Sequence, residues 1–210
     1  MASRRLTREE RREETRSRLI GAAREVFAEE GYHAASVDQV AERAGFSTGA
    51  VYSAFGSKEE LFRALVQEEL RRQTDQLEDA IRDRPSMDAR VQGAAERWMT
   101  YVQREPRMVL LLTEFWAYAV RRDDPGGMVA EQLGEIRAAL ARLIAMSAEE
   151  LGLELTIPVE QLAVVVDALA DGIARQKVVD PDAVPEDLFA RALSLVLAGS
   201  SRPAGSVPPR

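Results

Sequence analysis

The sequence predicts an all-α protein, with a small N-terminal three-helix unit followed by a larger helical bundle. Three observations carry this expectation. Apolar residues recur at helical spacing in each long stretch between residues 15 and 198. The breaks between those stretches fall at glycine, proline or serine-led capping signals. Strict alternation occurs only at Leu153-Glu154-Leu155-Thr156-Ile157, which is short and has no evident partner.

Residues 1–14 are charged and lack apolar periodicity beyond Leu6, so a flexible arginine-rich arm is expected there. A first helix runs from about Thr15 to Glu30 on Leu19, Ala23, Val26 and Phe27, with Gly31 as its stop. His33 is the only histidine and falls in the connector Tyr32-His33-Ala34-Ala35, where a structural or solvent-exposed role is expected. Ser36 and Gln39 form a capping box for the second helix, whose buried stripe is Val37, Val40, Ala41 and Ala44. Gly45 supplies the left-handed residue that turns the chain, and Phe46 anchors the turn. Ser47 caps a third helix, about Thr48 to Phe55, and Ser57 caps a long fourth one running to about Arg82.

Helical patterns follow at about Met87–Arg104, Arg107–Arg122, Met128–Leu151, Val159–Val178 and Glu186–Ala198. The segment Asp123-Asp124-Pro125-Gly126-Gly127 separates two of them. The expected division is an arm at 1–14, a three-helix domain at 15–60, a larger helical domain at 61–198 and a disordered tail at 199–210, rich in Gly, Ser and Pro.

Composition excludes several classes. There is no cysteine, hence no disulfide, thiolate metal site or thiol nucleophile. No apolar run reaches the roughly 18 residues of a membrane span, and the N-terminus lacks an apolar signal core. No membrane contact and a cytoplasmic location are therefore expected. Net charge is −7, but it is unevenly spread: residues 1–24 hold eight arginines against four glutamates, a local +4. Positive charge is gathered at the N-terminal end, the kind of patch that an anionic partner would meet. Paired glutamates point about 100° apart on a helix and mark solvated faces. With one loop histidine there is no nucleophile–base constellation, so no catalysis, cofactor or metal is expected.

Two short capped helices around a glycine turn form a helix-turn-helix, which places its second helix in the DNA major groove. A recognition helix needs little bulk on its leading face and some hydrogen-bonding groups. Thr48, Gly49, Ala50 and Ser53 meet that need, while Val51 and Phe55 face the core. The Tyr52 hydroxyl is placed to reach a phosphate. Lys58 opposes the helix dipole at the start of the fourth helix and makes sense if a phosphate sits there. The helix starts at Ser36 and Ser47 offer orphan amides to further phosphates.

The pattern Ala22-Ala23, Phe27, Gly31-Tyr32, Ser36-Val37, Val40-Ala41, Ala44-Gly45-Phe46-Ser47-Thr48-Gly49, Val51-Tyr52, Phe55-Gly56-Ser57-Lys58-Glu59-Glu60-Leu61 resembles the DNA-binding domain of TetR-family transcriptional regulators. The resemblance covers about a quarter of the chain. It implies a homodimer on a pseudo-palindromic operator, usually a repressor released by a small-molecule effector. It places Thr48, Gly49, Ala50 and Ser53 near base edges, and Tyr52 and Lys58 on phosphates. Ala54 is smaller than the aromatic or histidine often found there in the family.

Two surfaces are expected in the larger domain. Trp98, Val102, Met108, Leu111, Phe115, Trp116, Met128 and Leu169 concentrate aromatics and methionines that would line a largely apolar effector cavity. Leu162, Val166, Leu169, Ile173, Phe189, Leu193 and Val196 lie on helices apolar on several sides, which a partner subunit would cover. Plain intrachain core is the alternative for both sets. A regulator controlled by a protein partner without an effector, or an activator, are the alternatives for function.

Overall fold

The computed structural model describes residues 7–120 and 127–204; the side chains of residues 118–120, 128 and 129 also lie outside the description. Expectations on residues 1–6, on 121–126 and on 205–210 therefore fall outside the described residues. The elements in chain order are α1 (Arg8–Ala34), α2 (Val37–Ala44), α3 (Thr48–Phe55), α4 (Lys58–Ile81), α5 (Met87–Arg104), α6 (Pro106–Val120), α7 (Met128–Glu150), β1 (Leu153–Leu155), α8 (Val159–Val179), α9 (Leu188–Gly199) and β2 (Ser201–Pro203). The all-α expectation holds.

Two departures are instructive. Helix α1 begins at Arg8, not near Thr15. Thr7 and Glu10 make a reciprocal capping box, with Glu10 N–H donating to Thr7 Oγ1 at 3.1 Å and Thr7 N–H to Glu10 Oε2 at 2.7 Å. A cap therefore starts the helix about three turns before any apolar stripe appears, so residues 8–14 are helical, not an arm. The second departure is a small sheet. Leu153, Glu154 and Leu155 pair antiparallel with Pro203, Arg202 and Ser201. Glu154 and Arg202 stand directly opposite and form an ion pair at 3.0 Å. The strand that looked alone thus finds its partner in residues expected to be a disordered tail.

The chain divides into two compact units. Unit 1 comprises the residues up to 69 together with 111–118; unit 2 comprises 70–110 and the residues from 119 onward. Both α4 and α6 contribute to each unit.

Unit 1 is built around Phe62, which is fully buried. Its ring meets Phe27 at 5.4 Å, Tyr32 at 4.9 Å and Phe115 at 4.3 Å between centroids. Burying such a ring contributes about 1.5–3 kcal/mol, and each aromatic pair adds a further ~0.5–1.5 kcal/mol. Leu19, Ala23, Val40, Val51, Leu61 and Leu65 complete this core. In unit 2, α5, α8 and α9 share a core of Val91, Met99, Leu162, Val166, Ile173, Phe189 and Leu193. Helix α7 packs along α8.

Candidate nucleic-acid interface

The helix-turn-helix is fixed by local hydrogen bonds before any packing is considered. Ser36 Oγ accepts from Gln39 N–H at 3.2 Å, and Gln39 Oε1 accepts from Ser36 N–H at 2.7 Å, capping α2. Gly45 ends α2 at φ 73°, ψ 34°, a left-handed conformation that costs a residue with a Cβ about 1–2 kcal/mol. Its N–H reaches Glu42 C=O and the Phe46 N–H reaches Ala41 C=O at 2.9 Å, a Schellman closure. Ser47 Oγ then caps α3 by accepting from Ala50 N–H at 3.2 Å.

Helix α3 buries Val51 and Phe55 and leaves Gly49, Tyr52, Ser53 and Ala54 exposed, with Thr48 and Ala50 half-buried. The predicted base-edge residues and Tyr52 thus share one short, presented element, while Lys58 stands at the start of α4. Gly49 has no intrachain need to be glycine: a Cβ there would meet only Ser47 Oγ, at 3.9 Å. The Thr48 hydroxyl donates to Asp38 Oδ1 at 2.6 Å, which ties α3 to α2. Ser36 and Ser47 spend their hydroxyl oxygens as caps.

Lys58 is placed differently from the simple phosphate reading. Its Nζ donates to Ala35 C=O at 2.6 Å and His33 C=O at 3.3 Å, and lies 4.8 Å from the Tyr32 ring centroid. Desolvation lowers its pKa, opposed by Glu59 and Glu114. Two of its three donors hold the connector before α2; one remains. Arg43 is occupied as well, bound to Glu25 and Glu29 at 2.9 Å each. His33 is exposed, its ring 5.7 Å from Tyr32.

The effector set is not gathered in one unit. Trp98, Val102, Met108 and Leu169 lie in unit 2, while Leu111, Phe115 and Trp116 lie in unit 1. The Met128 side chain falls outside the described residues. Phe115 is core, stacked against Phe62 and Tyr32. Trp98 Nε1 donates to Ala170 C=O at 3.3 Å, and its ring lies 5.4 Å from Tyr101. Sequence reasoning missed Gln132, which is 3% exposed with neither amide atom partnered among the described residues. The signal was a polar residue at a core position of the α7 stripe that also contains Ala139, Leu143 and Ser147.

The dimerisation set packs inside the chain. Leu162, Val166, Ile173, Phe189 and Leu193 are buried in the unit 2 core, and Leu169 and Val196 pack against it. The large apolar residues left exposed on α8 and α9 are Val164 and Val165, each 44% exposed, Leu195 at 76%, and Val179 at the very end of α8 at 79%. Among the described residues there is no group of metal-ligating side chains, and no helix is long and apolar enough to cross a membrane.

A capped helix-turn-helix with an exposed second helix, joined to a separate helical unit, is the architecture of a DNA-binding transcriptional regulator. Residues 19–65 match the bacterial regulatory proteins of the tetR family, and residues 85–199 match the C-terminal domain of BetI-type transcriptional repressors. The chain belongs to the tetR family. It is 34% identical over 103 residues to the HTH-type transcriptional activator FasR of Mycolicibacterium smegmatis, which covers 49% of this chain and 47% of FasR. The chain thus spans about half the length of that curated relative. The fold is similar to a TetR transcription regulator from Haloarcula marismortui (TM-score 0.71, 18% identity, covering 90% of this chain and all of that one). It is also similar to FadR of Bacillus subtilis crystallised with stearoyl-CoA (TM-score 0.66, 18% identity, covering 87% and 98%).

Proposed function

We propose that this regulator is a homodimeric repressor that holds its operator through α3 and leaves it when a small, largely apolar molecule binds unit 2. The observation that carries the reading is the exposed face of α3, capped at both ends and bare at Gly49 although the chain itself does not require glycine there. Close approach of the backbone to a base edge accounts for that residue. Ser53 offers a hydrogen bond, while the Thr48 and Ala50 methyls suit the methyl group of thymine. The Tyr52 hydroxyl, the α2 and α3 amide ends and the third donor of Lys58 are assigned to phosphates.

Two copies are needed, because a single eight-residue helix reads too few base pairs. The exposed apolar residues Val164, Val165 and Leu195 support an isologous contact through α8 and α9. For the effector, Gln132, buried on α7 with neither amide atom partnered among the described residues, is the polar handle. An acyl chain, as FadR of B. subtilis holds, is one candidate chemistry. Helix α4 is continuous from Lys58 into unit 2, so a shift of α4 on effector binding would move the α3 mounts. Such linkage typically has a coupling of about 1–3 kcal/mol. The likeness of residues 85–199 to BetI-type repressors favours repression. The FasR likeness keeps activation as the second reading, decided by where the operator lies relative to the promoter.

The test is footprinting on DNA flanking the chain's own gene, with sedimentation of the complex. A protected inverted repeat bound by two chains is expected, and its protection should weaken with a long-chain acyl-CoA or another hydrophobic compound from a panel. A monomer that protects no duplex would overturn the reading.

A further inference from the structure

The first three turns of α1 segregate charge in a way that a merely solvated helix does not need. At roughly 100° per residue, Arg8, Arg11, Arg12, Arg16 and Arg18 fall within one half of the helix circumference. Glu9, Glu10, Glu13 and Glu14 fall on the other half. Like charges therefore sit at i,i+4 in the pairs Arg8–Arg12, Arg12–Arg16, Glu9–Glu13 and Glu10–Glu14, the arrangement that weakens an isolated helix. Opposite charges meet only along the borders, at i,i+3 and in the single i,i+4 pair Glu14–Arg18.

The arginine half is also the half that carries Leu19, Ala22, Ala23 and Val26, so it continues the core-facing side of α1 past the end of the core. Its inner members touch the helix-turn-helix directly. The Arg16 guanidinium lies 4.6 Å from the ring of Phe55, the last residue of α3. The Arg18 guanidinium lies 4.7 Å from the ring of Phe46 in the turn, and donates to Ala44 C=O at 3.0 Å. Arg12 and Arg8 continue the row about 6 and 12 Å beyond Arg16, both exposed.

We propose that the overhanging turns of α1 are a second DNA contact, in which Arg8 and Arg12 lie along the sugar-phosphate backbone beside the half-site occupied by α3. The occupant follows from charge complementarity and from the continuity of the arginine row with α3. This contact rests on the major-groove reading of α3. It adds affinity and footprint length without adding base specificity. The glutamate half faces away from the duplex, which limits binding by the wrong side of the helix.

The experiment measures affinity of the full chain for a 30-base-pair duplex from its own flanking DNA, and for a scrambled duplex, across a salt series. Arg8→Gln/Arg12→Gln is expected to flatten the slope of log affinity against log salt by about 0.9 for each phosphate that is no longer neutralised. In a dimer that is a change of about 3–4. Affinity for both duplexes should fall by a similar factor, and the outer edges of the hydroxyl-radical footprint should disappear. Glu9→Gln/Glu13→Gln changes net charge as much but should leave the slope unchanged. An unaltered slope in the arginine variant, or equal and opposite shifts in the two variants, overturns the proposal while leaving the α3 reading intact. If the unmodified chain binds neither duplex, the α3 reading fails and this second site fails with it.

Discussion

The Glu114 carboxylate closes on Gly31 so tightly that a Cβ at Gly31 would stand 2.8 Å from Glu114 Oε2. The two carboxylate oxygens accept from the backbone N–H groups of Tyr32 and His33 at 3.3 and 3.2 Å. Gly31 itself sits at φ 80°, ψ 164°, a region essentially closed to other residues. Helix α6 thereby holds the kinked end of α1, just before the helix-turn-helix. Gly31→Ala is expected to cost about 1–3 kcal/mol from the backbone alone. Glu114→Ala leaves two N–H groups without their acceptor and should cost about 1–3 kcal/mol. The alanine at 31 already displaces the carboxylate, so the double variant should lose less than the sum. Urea unfolding of the four proteins checks this; strict additivity would show that the two residues do not act together.

Lys58 should have two separable effects. Its ammonium braces the Ala35 and His33 carbonyls, so Lys58→Ala should lower stability by about 1 kcal/mol, the modest value fitting a group that is only partly buried. If its remaining donor holds a phosphate, the same change should reduce the salt slope of DNA binding by about 1 per site. Thermal unfolding reads the first effect and a salt titration the second. Lower stability with an unchanged slope would assign Lys58 wholly to the brace.

The helix-turn-helix was legible in the sequence because its determinants are local. Ser36, Gln39, Gly45 and Ser47 act on backbone groups within five residues of themselves, and each bond they imply is present. The start of α1 was equally local, at Thr7 and Glu10, but it was hidden by reading apolar periodicity ahead of capping. The β1–β2 pair was not legible: its strands are nearly fifty residues apart, and three residues of alternation specify no partner. Periodicity shows which side of a helix is apolar but not what covers it. Leu162 and Leu193 therefore read as subunit interface although α5, α8 and α9 bury them within one chain. Gln132 and the Asp167–Asp171 pair were passed over because a polar residue on an amphipathic helix usually marks its solvated side.

That distinction between core and interface is measurable. Leu193→Ala removes a buried side chain and should cost about 2–5 kcal/mol of stability. Leu195→Glu, two residues away and three-quarters exposed, should leave the fold intact and weaken self-association by a hundredfold or more. Sedimentation equilibrium alongside urea unfolding separates the two. A dimer unaffected by Leu195→Glu and by Val165→Glu would move the interface off α8 and α9.

Asp171 should give unit 2 a pH-dependent stability. Its pKa is raised from 3.8 to about 6, first by burial and then by the neighbouring Asp167 carboxylate, against the pull of Arg175 at 3.7 Å. A carboxyl whose folded pKa exceeds its unfolded one holds its proton more tightly in the native state. Its stabilising contribution is complete below about pH 4 and is lost as pH rises through about 6. The full shift of about two units corresponds to nearly 3 kcal/mol, and with the side chain a quarter exposed, about 1–2 kcal/mol is the expected size. Asp171→Asn keeps the shape and removes the titration. The variant should be more stable than the parent by that amount at pH 7.5 and nearly equal to it at pH 4. Asp167 is raised in the same direction by desolvation, so its Asn variant should show the same sign, offset by the charge removed from opposite Arg137 at 3.8 Å. Unfolding at a series of pH values reads the difference directly. A gap between parent and Asp171→Asn that is constant from pH 4 to 8 would mean that this carboxyl titrates normally in the folded chain.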